Sequence, residues 1–272
     1  MLNTNNVKDV DPVFTKWYEG LNDYSNSHNE AIRYEKFSLL FPEKVHILLA
    51  CFPKSGSSFL RELIKNLPNM TQVALVTGYD RREQELSTDE LILHHSKNYV
   101  AQHHVRYSVI TERLMKNFNL KPVVLVRNIF DVVESLHDHF YREGPVLPMG
   151  FLPNNWNDWN RDHLLNFICD MIMPWYFNFY FSWTLRDDKL LVSYEELVKN
   201  THETISKITE YSNIKCNAIE IDNSIKMTTK QQNLRLNIGK TGRGDLLPQY
   251  IKDKIRDLSK YYGSENMSVI GL

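Results

Sequence analysis

Three short apolar runs stand out along the chain, from Val45 to Cys51, from Pro122 to Val126 and from Leu190 to Ser193. Each run is continuous rather than alternating, which is typical of strands that are buried on both faces of a parallel sheet. After Ser57, and again after Asn128, apolar residues recur at helical spacing and form one stripe. The pattern therefore predicts two strand–turn–helix units followed by a third strand.

The rest of the chain adds helices to this sheet. Residues 139–183 are crowded with aromatic side chains, which predicts a loop-rich insertion followed by a buried helix. A last helical stripe runs from Leu246 to Leu258. Repeated strand, turn and helix indicate an α/β fold, and we find no linker or internal repeat. We expect one domain over residues 1–272, with a central, mostly parallel sheet flanked by helices.

Composition and charge exclude several classes of protein. Hydrophobic residues make up 42% of the chain, and 32 Lys and Arg balance 33 Asp and Glu, for a net charge of -1. A nucleic-acid coat or a polybasic membrane binder needs an excess of positive charge. Three cysteines without metal-ligand spacing, no signal-peptide pattern and no 18-residue apolar run predict a cytoplasmic protein.

The first candidate for chemistry is the segment Cys-Phe-Pro-Lys-Ser-Gly-Ser-Ser-Phe-Leu at residues 51–60, between the first strand and its helix. Gly56 permits a tight turn, and the first N–H groups of the helix have no partner within it. Lys54 adds a positive charge, and the serines add hydroxyl donors. The segment predicts an anion-binding loop; the alternative is an ordinary turn whose serines only cap the helix.

The second candidate is the segment Val-Val-Leu-Val-Arg-Asn-Ile-Phe-Asp at residues 123–131, followed by Ser135. Arg127 ends a strand and offers a planar fork for phosphate, and Ser135 is placed to donate to the same group. Asn128 is a good N-cap, and Asp131 suits the dipole of the first helical turn. The alternative is a surface arginine paired with a carboxylate, beside a serine without a role.

Together the two segments resemble the donor-binding motifs of cytosolic-type sulfotransferases, in order and in spacing. The resemblance implies that the first motif binds the 5′-phosphosulfate of 3′-phosphoadenosine 5′-phosphosulfate (PAPS), and that Arg127 and Ser135 bind its 3′-phosphate. Val-Ser-Tyr-Glu-Glu-Leu at 192–197 is similar to a family segment whose tyrosine, here Tyr194, lies near the adenine. The residues expected to bind the donor are Lys54, Ser55, Gly56, Ser57, Ser58, Phe59, Arg127, Ser135, Tyr194, Gly242 and Arg243.

The segment Gly-Lys-Thr-Gly-Arg-Gly-Asp at 239–245 resembles the family's glycine-rich loop over the 3′-phosphate. It departs from the eukaryotic pattern, because Asn and Ile occupy positions 237 and 238, where that pattern has Arg-Lys. Arg235, Lys240 or Arg243 is expected to supply the missing charge, and we favour Arg243.

A histidine between the two phosphate motifs is the catalytic base that the resemblance implies. Spacing back from Arg127 favours His104, with His103 as the alternative. The family has a lysine two residues before this histidine, and Gln102 stands there in this chain. The resemblance also implies that Lys54 stabilises the leaving 5′-phosphate, so His104 and Lys54 are the expected catalytic residues.

Metal and kinase chemistry find less support. The histidines of this interval, which are His94, His95, His103 and His104, lack a cysteine or carboxylate at a recognised zinc spacing, so no metal is expected. A P-loop kinase would need the order Gly-x4-Gly-Lys-Ser/Thr, and the chain does not contain it.

The resemblance implies a PAPS-dependent enzyme that moves a sulfuryl group to a hydroxyl or amine and releases PAP. A small-molecule acceptor is favoured over a peptide tyrosine or a glycan, and neither nucleic acid nor a membrane is an expected partner. The sequence does not identify the acceptor or the oligomeric state. A nucleotide-binding module without catalysis is the alternative from another class, and the presence of His104 argues against it.

Overall fold

Five parallel strands form the centre of the fold in the computed structural model, which describes residues 37–77, 83–144, 151–184, 186–230, 240–262 and 266–272. The strands are β1 (His46–Cys51), β2 (Thr71–Gln72), β3 (Tyr99–His103), β4 (Leu120–Val126) and β5 (Leu190–Ser193). Their order is β2-β3-β1-β4-β5, and every neighbouring pair is parallel. The expected mostly parallel α/β sheet is confirmed.

Helices cover both faces of this sheet. They are α1 (Ser57–Lys65), α2 (Thr88–His94), α3 (Val109–Asn117), α4 (Ile129–Glu143), α5 (Arg161–Phe167), α6 (Met173–Thr184), α7 (Tyr194–Lys199), α8 (Thr201–Ser212), α9 (Ala218–Thr229) and α10 (Gln249–Ser259). A π-helical turn, Ile168–Ile172, joins α5 to α6. One hydrophobic cluster holds the apolar stripe of α1 with α8, and the other holds α4, α6 and α10.

The two sequence motifs meet because their strands are neighbours. In β1 and β4, Ala50 pairs with Val124 and Cys51 with Leu125, so the turns after the two strands leave the same edge of the sheet. Parallel α/β folds bind ligands at this carboxyl edge. The expected N-cap of α4 is confirmed, since Asn128 Oδ1 accepts the N–H of Phe130 at 3.0 Å.

The prediction for the aromatic segment agrees with the structure, and the prediction for the C-terminal helix is off by a few residues. Helix α6 buries most of its aromatic side chains, as expected, and Trp183 and Tyr176 are among the largest fully buried residues. The C-terminal helix begins later than its stripe suggests. Leu246 is 70% exposed and lies in a 3-10 turn before the helix. Helix α10 begins at Gln249, because the fixed backbone of Pro248 suits a helix start.

Candidate active site

The turn after β1 places the start of α1 at the carboxyl edge of the sheet. Gly56 is the residue before α1 and has φ 81°, which glycine adopts without strain, and Lys54 also has a positive φ of 66°. A Cβ atom on Gly56 would lie 2.5 Å from two ring carbons of Tyr194. Glycine is therefore required at position 56 both by its backbone and by the ring packed on it.

The serines of this turn have different environments. Ser55 is fully buried, and its hydroxyl donates to the carbonyl of Phe52 at 2.7 Å, so it braces the turn from within. Ser57 is 7% exposed and its Oγ accepts a hydrogen bond from Gln102 Nε2 at 2.9 Å. Ser58 is half-buried, and Phe59 faces the core. The free N–H groups of the first turn of α1 make this turn an anion-binding geometry.

Arg127 is a buried junction between distant segments. Its guanidinium donates to the carbonyl of Lys54 at 3.2 Å, to the carbonyl of Lys240 at 2.9 Å and to Asp131 Oδ2 at 3.2 Å. It also lies over the Tyr194 ring, 4.4 Å from the centroid, where a cation is favoured. The guanidinium is thus paired with a carboxylate, as in the alternative interpretation, but it is buried and not on the surface.

Asp131 holds the glycine-rich loop against α4. Its two carboxylate oxygens accept the N–H of Gly242 at 3.0 Å and that of Gly244 at 2.7 Å. Asp131 also lies in the first turn of α4, as expected, so its contacts to the loop are a second role. The sequence did not indicate this second role because Gly242 lies 111 positions away. Gly244 is also required, since a Cβ atom there would lie 2.4 Å from Phe130 Cβ.

The three residues expected to supply the positive charge of the glycine-rich loop have different surroundings. Arg243 pairs with Asp138 on α4, and its side chain is 14% exposed. Lys240 contributes its carbonyl to Arg127 and is exposed, whereas Arg235 lies outside the described residues. Ser135 is buried on α4, 2% exposed, two turns beyond Arg127. The structure thus brings Arg127 and the loop together at the first turn of α4, and Ser135 lies farther along the same helix.

The two candidate histidines have clearly different surroundings. His103 Nε2 accepts the N–H of Leu75 at 2.8 Å, and burial lowers the pKa of His103 to about 3. His104 Nδ1 lies 2.8 Å from the carbonyl of Cys51, which can only accept, so Nδ1 carries the hydrogen and Nε2 keeps the lone pair. Burial, with a smaller effect of the Lys54 charge, lowers the pKa of His104 and keeps it neutral. His104 Nε2 is therefore able to accept a proton, whereas the lone pair of His103 Nε2 already accepts the N–H of Leu75.

Lys54 has a neighbour that the motif did not indicate. Its Nζ lies 3.3 Å from Nδ1 of His139 on α4, and Glu143 Oε1 lies 3.5 Å from the same nitrogen. His139 lies one helical turn beyond Ser135, so helical spacing from Ser135 is the signal that could have placed it on this face. The ammonium group therefore lies between the turn after β1 and α4.

A separate acidic group on α4 has the composition of a cation site. Ligand atoms of Glu134, His137 and Asp138 lie within 4.8 Å of one another, as found in the described parts of the chain. Both carboxylates already pair with arginines, Glu134 with Arg161 at 2.7 Å and Asp138 with Arg243. These two arginines already neutralise the negative charge of the carboxylates, which a metal ion would need.

Helices that are both long enough and apolar enough to cross a membrane do not occur among the described residues.

Comparison with known proteins concerns the family and the fold. A family model described as sulfotransferase domain matches residues 44–240, which is more than half of the chain. Mouse sulfotransferase SULT7A1 complexed with PAP is similar in structure, with a TM-score of 0.60 and 22% identity over 84% of this chain and 89% of that one. Retinol dehydratase, solved with androsterone and inactive cofactor PAP, gives a TM-score of 0.53 and 15% identity over 86% and 88%. No curated protein sequence matches this chain.

Proposed function

The chain belongs to the sulfotransferase family, and on this premise we propose that it moves the sulfuryl group of PAPS to a hydroxyl or amine of a small molecule. Sulfuryl transfer is the reaction class of the family, and the donor, the acceptor class and the residue roles are our proposals. The similar structures with PAP support the choice of donor. We further propose that residues 1–272 form one sulfotransferase domain.

The bond from His104 to the carbonyl of Cys51 carries the proposal. Cys51 is the last residue of β1, directly before the anion-binding turn, so this bond orients the imidazole beside that turn with its hydrogen on Nδ1, while burial keeps the ring neutral. A module that only binds nucleotides needs the turn but has no need of a base. An enzyme that transfers a group from an anionic donor needs both, because the attacking hydroxyl must lose its proton.

The residues around the turn suit a donor with two anionic ends. Arg127 Nε is buried and has no hydrogen-bond partner within the described segments, so one donor of this guanidinium remains for an anion. We propose that the first amides of α1, with Ser57 and Ser58, hold the 5′-phosphosulfate, and that Arg127 and Ser135 hold the 3′-phosphate. PAPS supplies the sulfuryl group when it is bound.

Each catalytic residue then has one role. Lys54 places a positive charge next to the turn, where negative charge grows on the leaving phosphate, and electrostatic stabilisation of this kind dominates such displacements. His104 Nε2 takes the proton of the acceptor. Tyr194 packs on Gly56 and on Arg127, so its ring joins the two phosphate sites and is our candidate for the adenine side.

Thermal unfolding with nucleotides tests the donor. PAP should stabilise the chain in the presence of EDTA more than 5′-AMP does, since a ligand at 100 times its Kd adds about 2.7 kcal/mol to the folded state. Stabilisation by Mg-ATP alone would favour a kinase instead.

Transfer from labelled PAPS to a panel of phenols, alcohols and amines tests the reaction. PAP binding without transfer to any acceptor would favour the binding module.

A further inference from the structure

A line of polar side chains leads from solvent to Ser57. Arg61 NH1 donates to Gln102 Oε1 at 3.2 Å, and Gln102 Nε2 donates to Ser57 Oγ at 2.9 Å. Ser57 and Arg61 are four residues apart and lie one above the other on α1, with Gln102 of β3 beside them. Three side chains from two elements thus form one chain of hydrogen bonds that ends at the anion-binding turn.

The order of donors in this line fixes what Ser57 can do. The Arg61 guanidinium only donates, so the oxygen of the Gln102 amide faces Arg61 and its NH2 group faces Ser57. Ser57 Oγ therefore accepts from Gln102, and its single hydrogen remains to be donated elsewhere. The other neighbour is the Cys51 thiol, whose sulfur is a weak acceptor. An anionic oxygen in the turn is a much stronger one.

Arg61 also brings positive charge close to the turn. Glu62 lies between Arg61 and Lys65, with contacts of 2.9 and 3.0 Å, so two cations share one carboxylate. The group keeps one net positive charge near the first turn of α1. Gln102 stands where the family resemblance leads us to expect a lysine, so in this chain the positive charge is moved to the neighbouring helix.

We propose that Gln102 and Arg61 are positioning residues that make the Ser57 hydroxyl a dedicated donor to the 5′-phosphate end of the ligand. Arg61 orients the amide of Gln102, and Gln102 orients the hydroxyl. Hydrogen bonds in such a series strengthen one another. The inference rests on the proposed function, because it concerns the same donor site.

Binding of two nucleotides that differ only at the 5′ end tests this inference. By calorimetry, Gln102→Leu should bind PAP about tenfold more weakly, the range for a lost hydrogen bond to a charged group. Its affinity for adenosine 3′-monophosphate, which has no 5′-phosphate, should stay unchanged. Gln102→Lys should restore PAP binding, because an ammonium group also donates to Ser57. Equal weakening of both nucleotides would show a structural role and overturn the inference.

Two further comparisons use the same helix. Arg61→Met, at a partly exposed position, should weaken PAP binding about threefold, within the range of a single hydrogen bond. Lys65→Met is the matched control, since it removes the other partner of Glu62 without touching Gln102, and it should leave the affinity unchanged. Equal effects of the two variants would indicate only a change in overall charge and would contradict the proposed positioning.

A double-mutant cycle completes the test. If Gln102 acts through Ser57, then Gln102→Leu should cost little more affinity for PAP once Ser57→Ala is present. Additive losses would overturn the inference while leaving the donor site intact. A complete lack of PAP binding by the unmodified chain would instead overturn the proposed function, and this inference with it.

Discussion

The contacts of the Asp131 carboxylate predict how much free energy of unfolding is lost when its charge is removed. Its side chain is 3% exposed and accepts from the Arg127 guanidinium and from the N–H groups of Gly242 and Gly244. Asp131→Asn keeps the shape but removes the charge, and it turns an NH2 group toward donors. Breaking a buried ion pair on one side costs about 3–5 kcal/mol. Arg127 keeps two carbonyl acceptors, so we expect a loss near the lower limit, about 3 kcal/mol.

Urea unfolding at pH 7, followed by circular dichroism, measures this loss. Asp138→Asn is the matched control, because Asp138 lies on the same helix and pairs with Arg243 from the same loop. Its side chain is 24% exposed, so solvent screens the pair and the expected loss is below about 1 kcal/mol. If Asp131→Asn cost no more than Asp138→Asn, then burial and the two loop amides would not give Asp131 the role assigned to it.

The remaining predictions concern Gly56 and the two histidines. Gly56→Ala should lower the free energy of unfolding by about 2 kcal/mol or more, since strain of about 1–2 kcal/mol at positive φ adds to the contact with Tyr194. Gly242→Ala is the control in the same urea titration, because Gly242 has nearly the same backbone angles (φ 81°, ψ 13°) and a Cβ atom there would meet only an ordinary contact with Asp245 at 3.7 Å, so it should cost the strain alone. Burial lowers the pKa of His103 to about 3 and keeps it neutral when folded, so stability should fall as pH drops below about 6.5, and His103 should contribute about 2 kcal/mol of the loss at pH 5 beside His94 and His95, whose pKa values burial also lowers. The loss between pH 7 and pH 5 should therefore be about 2 kcal/mol smaller in His103→Asn, and an unchanged pH dependence would contradict this. The acid limb of kcat/KM should have its midpoint below about 6.5, because the pKa of His104 is lowered, and His104→Gln should abolish transfer while PAP binding survives; full activity of His104→Gln would refute its role as the base.

Much of the fold follows from local sequence. The continuous apolar runs predicted three of the strands, and the stripe after Ser57 predicted α1, because burial sets both patterns. β2 and β3 were not predicted. Thr71 and Gln72 of β2 are exposed and polar and pair only at the sheet edge, and the apolar run of β3 is short because Gln102 and His103 follow Ala101. The stripe beginning at Leu246 placed the start of the C-terminal helix a few residues too early, because Leu246 lies in a 3-10 turn before Pro248 and its apolar side chain is exposed.

The site was predictable where one segment carries the chemistry. The turn with Lys54 and Gly56 depends on its own sequence. Strand β4 lies next to β1 and brings Arg127 to the same edge of the sheet. Contacts between segments were not predictable in the same way. Gln102 was expected only as a missing lysine, and its bond to Ser57 depends on how β3 lies against α1.

Arg127 has a consequence for the speed of ligand binding. It joins the turn at Lys54 to the loop at Lys240, 113 positions away from Arg127 in the sequence, through bonds that the protein makes by itself. Because the turn and the loop are already held together before a ligand binds, binding requires little ordering of the backbone. Conformational ordering during binding is a step that lowers association rates. We therefore expect nucleotides to associate at a rate set by diffusion and charge, with a marked dependence on salt. Variants that weaken the site should then differ mainly in how long the nucleotide stays bound.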